Sequence, residues 1–177
     1  TLWKRIDLKD FGVGRNVRFG DLNGDGQRDV LLAQVLHHGP KDRNSEVACM
    51  TAMTFDGEML WQLGEPDPWK NHLTNDVAVQ IHDLDGDGRA ELLIGNPRAG
   101  SVAPFFSAGV GAVTVISGAD GYPITTLHGD LPGDAFGTSL AELGDIDRDG
   151  ASEFAVGAPC DGLGGTDVGY VRVYQGL

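Results

Sequence analysis

Asp83-Leu84-Asp85-Gly86-Asp87-Gly88-Arg89-Ala90-Glu91 decides how this chain is read, because the pattern occurs three times. Asp21-Leu22-Asn23-Gly24-Asp25-Gly26-Gln27-Arg28-Asp29 precedes it, and Asp145-Ile146-Asp147-Arg148-Asp149-Gly150-Ala151-Ser152-Glu153 follows it. The copies begin at 21, 83 and 145, so both intervals are 62 residues. Self-similarity at a fixed period of this size marks an architecture of stacked repeats.

Each copy carries oxygen-bearing side chains at positions 1, 3 and 5, which suits a hard cation. Calcium takes about six to eight oxygen ligands at roughly 2.3–2.6 Å. Alternate Asp or Asn side chains converge on one point when the chain turns tightly. The glycine at position 6 permits that turn, having no Cβ to clash at positive φ. Position 7 varies in side chain (Gln27, Arg89, Ala151), so its expected ligand is the backbone carbonyl. Position 9 is acidic each time. The expected ligand sets are therefore Asp21, Asn23, Asp25, Gln27 and Asp29; Asp83, Asp85, Asp87, Arg89 and Glu91; and Asp145, Asp147, Asp149, Ala151 and Glu153. Up to three Ca²⁺ ions are expected. The first site is the weakest, since Asn23 replaces a carboxylate.

An EF-hand shares positions 1, 3, 5 and 6 but needs a bidentate Glu at position 12. Position 12 here is Leu32, Ile94 and Val156. The flanks are short and apolar or β-branched, so each loop joins two strands rather than two helices. A single copy would read as an Asp-Gly turn with solvated acids; three evenly spaced copies favour ion sites.

The 177 residues suffice for one domain with a core, and the net charge is −13. Eleven of the 26 acidic residues stand in the three loops, leaving 15 acids against 13 bases elsewhere. The acidity is local to the ion sites. No basic stripe exists to neutralise phosphates, so nucleic acid is not an expected partner. No apolar run approaches the roughly 18 residues of a membrane span. The chain starts at Thr1 rather than Met and reads as a mature or excised segment. Its two cysteines, Cys49 and Cys160, are too few for a disulfide framework and read as buried thiols.

The 27 glycines and the lack of any helical period predict an all-β fold of short strands. Strands are expected at 17–20, 29–34, 47–55 and 58–64, with a hairpin at Asp56-Gly57. The order recurs at 77–82, 90–95, 110–117 and 122–128, with a turn at Asp120-Gly121. It recurs again at 138–144, 152–157 and 170–174. Four antiparallel strands per repeat describe β-propeller blades. The units run over about 9–64, 65–128 and 129–177 of a single 1–177 segment. Residues 1–8 read as the fourth strand of a preceding blade. About three blades make a partial ring, cut from a longer one or completed when copies of the chain associate as a homo-oligomer.

The residues resemble the FG-GAP repeats of integrin α-subunit β-propellers and their bacterial relatives. The third unit carries the likeness best, with Phe136-Gly137, Gly144-Asp145 opening the loop, and Gly157-Ala158-Pro159. The second has Thr74-Asn75 and Gly95-Asn96-Pro97 at these landmarks. The first has Phe11-Gly12 displaced by one and Ala33-Gln34-Val35. The resemblance implies calcium at the underside of each blade, ligands on other loops, and an extracellular or periplasmic setting. A second resemblance, over roughly the first 95 residues, is to bacterial rhamnogalacturonan lyases, also calcium-rich propellers. It rests on Trp3-Lys4-Arg5-Ile6-Asp7-Leu8, the first ion loop, Thr54-Phe55-Asp56-Gly57-Glu58-Met59-Leu60-Trp61 and Val79-Gln80-Ile81-His82-Asp83.

Two functions follow. The first is a calcium-stabilised adhesion or interaction module that contacts protein or carbohydrate through its loops. No Gly-x-Ser-x-Gly elbow, His-Glu-x-x-His or phosphate-cradling Gly-x-x-x-x-Gly-Lys occurs, and Gly12 and Gly14 open no dinucleotide unit. The second is a polysaccharide lyase segment. β-Elimination needs a base for the proton α to a carboxylate and a cation for the developing charge. Its candidates are Lys41, Arg43, Lys70, His72 or a calcium, the basic residues being set against a solvated-loop reading. His37-His38 lacks further ligands at zinc spacing and reads as exposed loop. Trp3 and Trp61 are expected to pack between blades. Trp69 is the candidate for stacking on sugar, and Phe105-Phe106 for a contact patch or blade cover.

Overall fold

The computed structural model describes residues 1–8, 16–36, 46–66, 78–100, 109–160 and 168–177. Phe11-Gly12, His37, His38, Lys41, Arg43, Trp69, Lys70, His72, Thr74-Asn75, Phe105 and Phe106 lie outside them. The described residues contain eleven strands and no helix: β1 Asn16–Gly20, β2 Asp29–Leu36, β3 Glu46–Thr54, β4 Met59–Leu63, β5 Val79–His82, β6 Glu91–Asn96, β7 Ala112–Ile116, β8 Pro123–His128, β9 Ser139–Gly144, β10 Glu153–Ala158 and β11 Tyr170–Tyr174. They form three antiparallel meanders, β1-β2-β3-β4, β5-β6-β7-β8 and β9-β10-β11. The nine-residue loop joins the first two strands of each. Asp56-Gly57 closes the β3–β4 hairpin, with the Gly57 amide on the Thr54 carbonyl at 3.0 Å. Asp120-Gly121 closes β7–β8 in the same way, with Gly121 bonded to Ser117 at 2.9 Å. These are the blades of a β-propeller.

The second strand of each blade explains the stacking. Successive residues of a strand face opposite ways. In β2, Leu31, Ala33 and Val35 enter one buried cluster, whereas Val30 and Leu32 enter another. In β6, Leu92 joins the first cluster and Leu93 a third. Strands covered on both faces become near-continuous apolar runs, as β2 and β6 are. The seam between the first and second sheets holds Leu31, Met50, Ala52, Trp61, Val79, Leu92 and Ile116. The seam between the second and third holds Leu93, Val113, Val115, Phe136, Phe154 and Val156.

Phe136-Gly137 stitches the second seam. Phe136 is fully buried and pairs with Gly111, its amide on the Val110 carbonyl at 3.3 Å. The Gly137 amide reaches across to the Gly157 carbonyl at 3.1 Å. Gly137 sits at φ +89°, and a Cβ there would stand 2.5 Å from the Ala112 carbonyl oxygen. The motif thus supplies one apolar anchor and one residue small enough for three strands to meet.

Trp61 joins the first seam, as expected. It is buried, and its indole N–H donates to the Gly118 carbonyl at 2.5 Å, in the neighbouring blade's hairpin turn. Trp61→Phe keeps most of the apolar area but strands that carbonyl. We expect a loss of about 1–2 kcal/mol in urea unfolding; no loss would mean the bond contributes nothing.

Three expectations require correction. Residues 1–8 form no strand. Ile6 and Leu8 pack on Val30, Leu32 and Met53, covering the first sheet's otherwise uncovered face. Contact with a face, not an edge, offers the backbone no ladder to join. Trp3 is therefore not buried between blades: it is 84% exposed, its ring 6.1 Å from Phe55. Cys49 is a buried free thiol, but Cys160 is only partly buried, in the turn beside Asp134.

Candidate metal centres

Each loop closes around its first aspartate. The Asp21 carboxylate accepts from the amides of Gly24 (2.7 Å), Asp25 (3.2 Å) and Gly26 (2.7 Å). Asp83 accepts from Gly86 (2.9 Å) and Gly88 (3.0 Å). Asp145 accepts from Arg148 (2.6 Å), Asp149 (3.1 Å) and Gly150 (3.1 Å). The position-6 glycines lie at φ +80°, +88° and +102°, the conformation assigned to them from sequence.

Position 9 opens the second strand and folds its acid back under the loop. Asp29, Glu91 and Glu153 are 1%, 5% and 3% exposed. Each accepts from the position-2 amide: Leu22 at 2.9 Å, Leu84 at 2.9 Å and Ile146 at 2.7 Å. Ligand oxygens of Asp83, Asp85 and Glu91 come within 4.8 Å of one another, as do those of Asp145, Asp147 and Glu153. These two groups can hold a metal ion. Asn23 takes position 3 of the first loop, and its side-chain oxygen accepts from Asp25 at 2.9 Å.

In the second and third loops the structure brings positions 1, 3 and 9 together. Asp87 and Asp149, at position 5, stand outside these groups. Asp25, Asp87 and Asp149 each accept from the position-7 amide, Gln27 (2.8 Å), Arg89 (2.7 Å) and Ala151 (2.9 Å), just as position 3 accepts from the position-5 amide at 2.9, 3.0 and 3.2 Å. One oxygen stands out. Glu153 Oε1 is buried without a hydrogen-bond partner. A buried carboxylate oxygen left unpaired is strongly unfavourable, and here it belongs to a converged carboxylate group. A hard cation is the partner that chemistry calls for.

Burial acts on Asp29 and Glu91 at position 9. It raises Asp29, and it raises Glu91 to about 7, aided by Asp85, Asp87 and Asp83 against the Leu84 amide bond. The folded Glu91 carboxyl thus binds a proton more tightly than the ordinary 4.5. Between those values the folded state holds more protons than the unfolded one, so metal-free stability falls as pH rises. In chelator, stability should increase by up to about 3 kcal/mol from pH 7.5 to pH 5. Urea midpoints would show it, and Glu91→Gln should flatten the dependence. A chelated protein most stable at pH 7.5 would contradict the burial argument.

Spacing could not reveal two further features. His82 Nδ1 stands 2.8 Å from Glu142 of the third sheet. Together with Asp21, Arg28 and Asp83 they line a cleft of roughly 410 Å³ between the first two loops. Asp134, 4% exposed, accepts from the amides of Asp130 (2.9 Å) and Leu131 (3.0 Å) and from the Tyr170 hydroxyl (2.7 Å). Burial and then that bond push Tyr170 up to about 12. The sole local signal for Asp134 was its place two residues before Phe136-Gly137.

With this geometry in hand, three comparisons bear on the chain. Residues 77–116, spanning the second loop, match the family model of the FG-GAP repeat. The chain is 36% identical over 188 residues to integrin alpha-4 of Xenopus laevis, covering 99% of this chain and 17% of that protein. It is 29% identical over 181 residues to integrin alpha-V of Gallus gallus, covering 94% of this chain and 16% of that protein. It therefore spans only 16–17% of the length of these relatives. In fold, it is similar to the rhamnogalacturonan lyase of Bacillus licheniformis, with a TM-score of 0.56 over 80% of this chain and 29% of that one, at 20% identity. Both resemblances read from the residues are thus present: an integrin-α-like set of FG-GAP propeller repeats, and a lyase-like propeller fold.

Proposed function

We propose that the chain is a calcium-binding propeller module that presents its loops to a protein or glycan in an extracellular or periplasmic setting. The partnerless oxygen of Glu153, set against Asp145 and Asp147, carries the reading. Asp83, Asp85 and Glu91 repeat the arrangement. Asp87, Asp149 and the carbonyls of Arg89 and Ala151 complete the two donor sets. Asp21, Asn23, Asp25, Asp29 and the Gln27 carbonyl form the third and weakest. Bound calcium supplies positive charge that cancels carboxylate repulsion and stiffens the turn. The chain's residues do the rest: position 1 shapes the loop, position 9 anchors it beneath, and the blade fixes both.

Adhesion is tested by immobilising the protein and passing extracellular-matrix proteins and glycans over it. Calcium-dependent retention that chelator reverses supports the module; no retention of any ligand counts against it. The lyase reading is the alternative, favoured by the sequence likeness of the first 95 residues. Incubation with rhamnogalacturonan, followed by absorbance of the unsaturated product, decides it. Activity lost in Lys70→Ala or His72→Ala would overturn our ranking.

The third sheet bears on assembly. Among the described residues it has three strands, and β11 exposes Val171 (67%) and Val173 (56%). A ring needs another blade on that face, from further chain or from a second copy. Light scattering separates the two: twice the chain mass supports a ring of copies, and a single-chain mass at all concentrations excludes it.

A further inference from the structure

The three loops touch one another, and the contacts are not alike. The Ala90 amide, leaving the second loop, bonds the Asp21 carbonyl of the first at 2.7 Å. The Ser152 amide, leaving the third, bonds the Leu84 carbonyl of the second at 3.2 Å. Both donors stand at position 8, the acceptors at positions 1 and 2, and position 4 of each earlier loop faces something different. Gly24 faces the Arg89 side chain: a Cβ on Gly24 would stand 2.8 Å from Arg89 Cγ and 2.9 Å from its Nε. Gly86 faces the Gly150 carbonyl, 2.5 Å from the equivalent point. The first loop thus meets a guanidinium where the second meets a carbonyl oxygen.

Gly24 belongs to the turn that wraps Asp21, its amide 2.7 Å from that carboxylate. Arg89 is exposed, and among the described residues its side chain forms no ion pair. Its charge therefore lies beside the first loop's acids without being committed elsewhere.

Resting on the calcium reading above, we propose that Arg89 of the second loop lowers the affinity of the first loop for its cation. The guanidinium offsets part of the carboxylate repulsion when the first loop is empty, and it repels the divalent ion that would fill it. Both effects weaken binding. A unit charge acting on a divalent ion across several ångströms of solvated surface changes affinity by about three- to tenfold. Asn23 already removes one carboxylate, so the first loop becomes the one that fills last as calcium rises. The second loop, facing a carbonyl, carries no such brake.

Calcium titrations of ¹⁵N-labelled chain, read at individual glycine amides, test this. Gly24 and Gly26 report the first loop; Gly86 and Gly88 report the second. Arg89→Gln should lower the calcium midpoint at Gly24 and Gly26 by about three- to tenfold, and Arg89→Glu should lower it further. The differences should shrink at about 0.5 M salt, where the Debye length is only a few ångströms. Unchanged or raised midpoints at Gly24 and Gly26 in both variants would overturn the proposal. So would an equal displacement at Gly88, which would place the effect in the second loop itself. An unaltered chain with no calcium-dependent shift at any of these amides would remove the calcium reading, and this inference with it.

Discussion

Transferred from millimolar calcium to chelator, the protein should melt about 10 °C or more lower. Ion binding to the folded state adds RT ln(1 + [L]/Kd), or about 2.7 kcal/mol per site at a hundredfold excess over Kd. Two filled sites contribute about 5 kcal/mol, and 1 kcal/mol moves the midpoint of a domain this size by about 2–4 °C. Emptying the loops also leaves Glu91 and Glu153 buried beside like charges. Calorimetry with and without chelator measures the difference. Glu153→Gln should remove roughly half of it, because it neutralises the oxygen that lacks a partner. Equal melting in both buffers would count against all the ion assignments.

Phe136→Ala should destabilise the chain by about 3–5 kcal/mol, the range for a fully buried aromatic cut to a methyl group. The ring lies between the second and third blades. Tyr170 and Tyr174 are 6.5 and 6.4 Å away by ring centroid, and the Arg172 guanidinium is 5.5 Å above it. Removing the ring opens a cavity under three elements at once. Since whole domains are stable by roughly 5–15 kcal/mol, much of the folded margin is at stake. Phe136→Leu should lose considerably less. Urea unfolding followed by circular dichroism reads both, and a loss below about 1 kcal/mol for the alanine variant would show that the seam is not held there.

Much of the architecture was legible because local chemistry and global fold agree. The loops announce themselves through acids and glycines at one spacing, and β2, β6 and β10 through unbroken apolar runs. Phe136-Gly137 was visible as a landmark, although its reason, three strands meeting at Gly137, needed the fold. Residues 1–8 misled because Leu2, Ile6 and Leu8 fit a strand equally well as a segment laid across a face. Whether such a segment pairs depends on which edge lies nearby, and that is a tertiary matter. Within the loops, spacing treats positions 3 and 5 alike. Local backbone bonds do not separate them either, because both accept from the amide two residues on; only the fold brings Asp85 and Asp147, and not Asp87 and Asp149, into the converged groups. The His82–Glu142 pair joins residues of different blades, which no pattern within one repeat can reveal.

Counting ions per chain by equilibrium dialysis tests the central claim most directly. Two Ca²⁺ should bind with matched affinity and a third more weakly, and Glu153→Gln should abolish one of the tight pair. A chain that takes up no calcium at millimolar concentration would contradict the account.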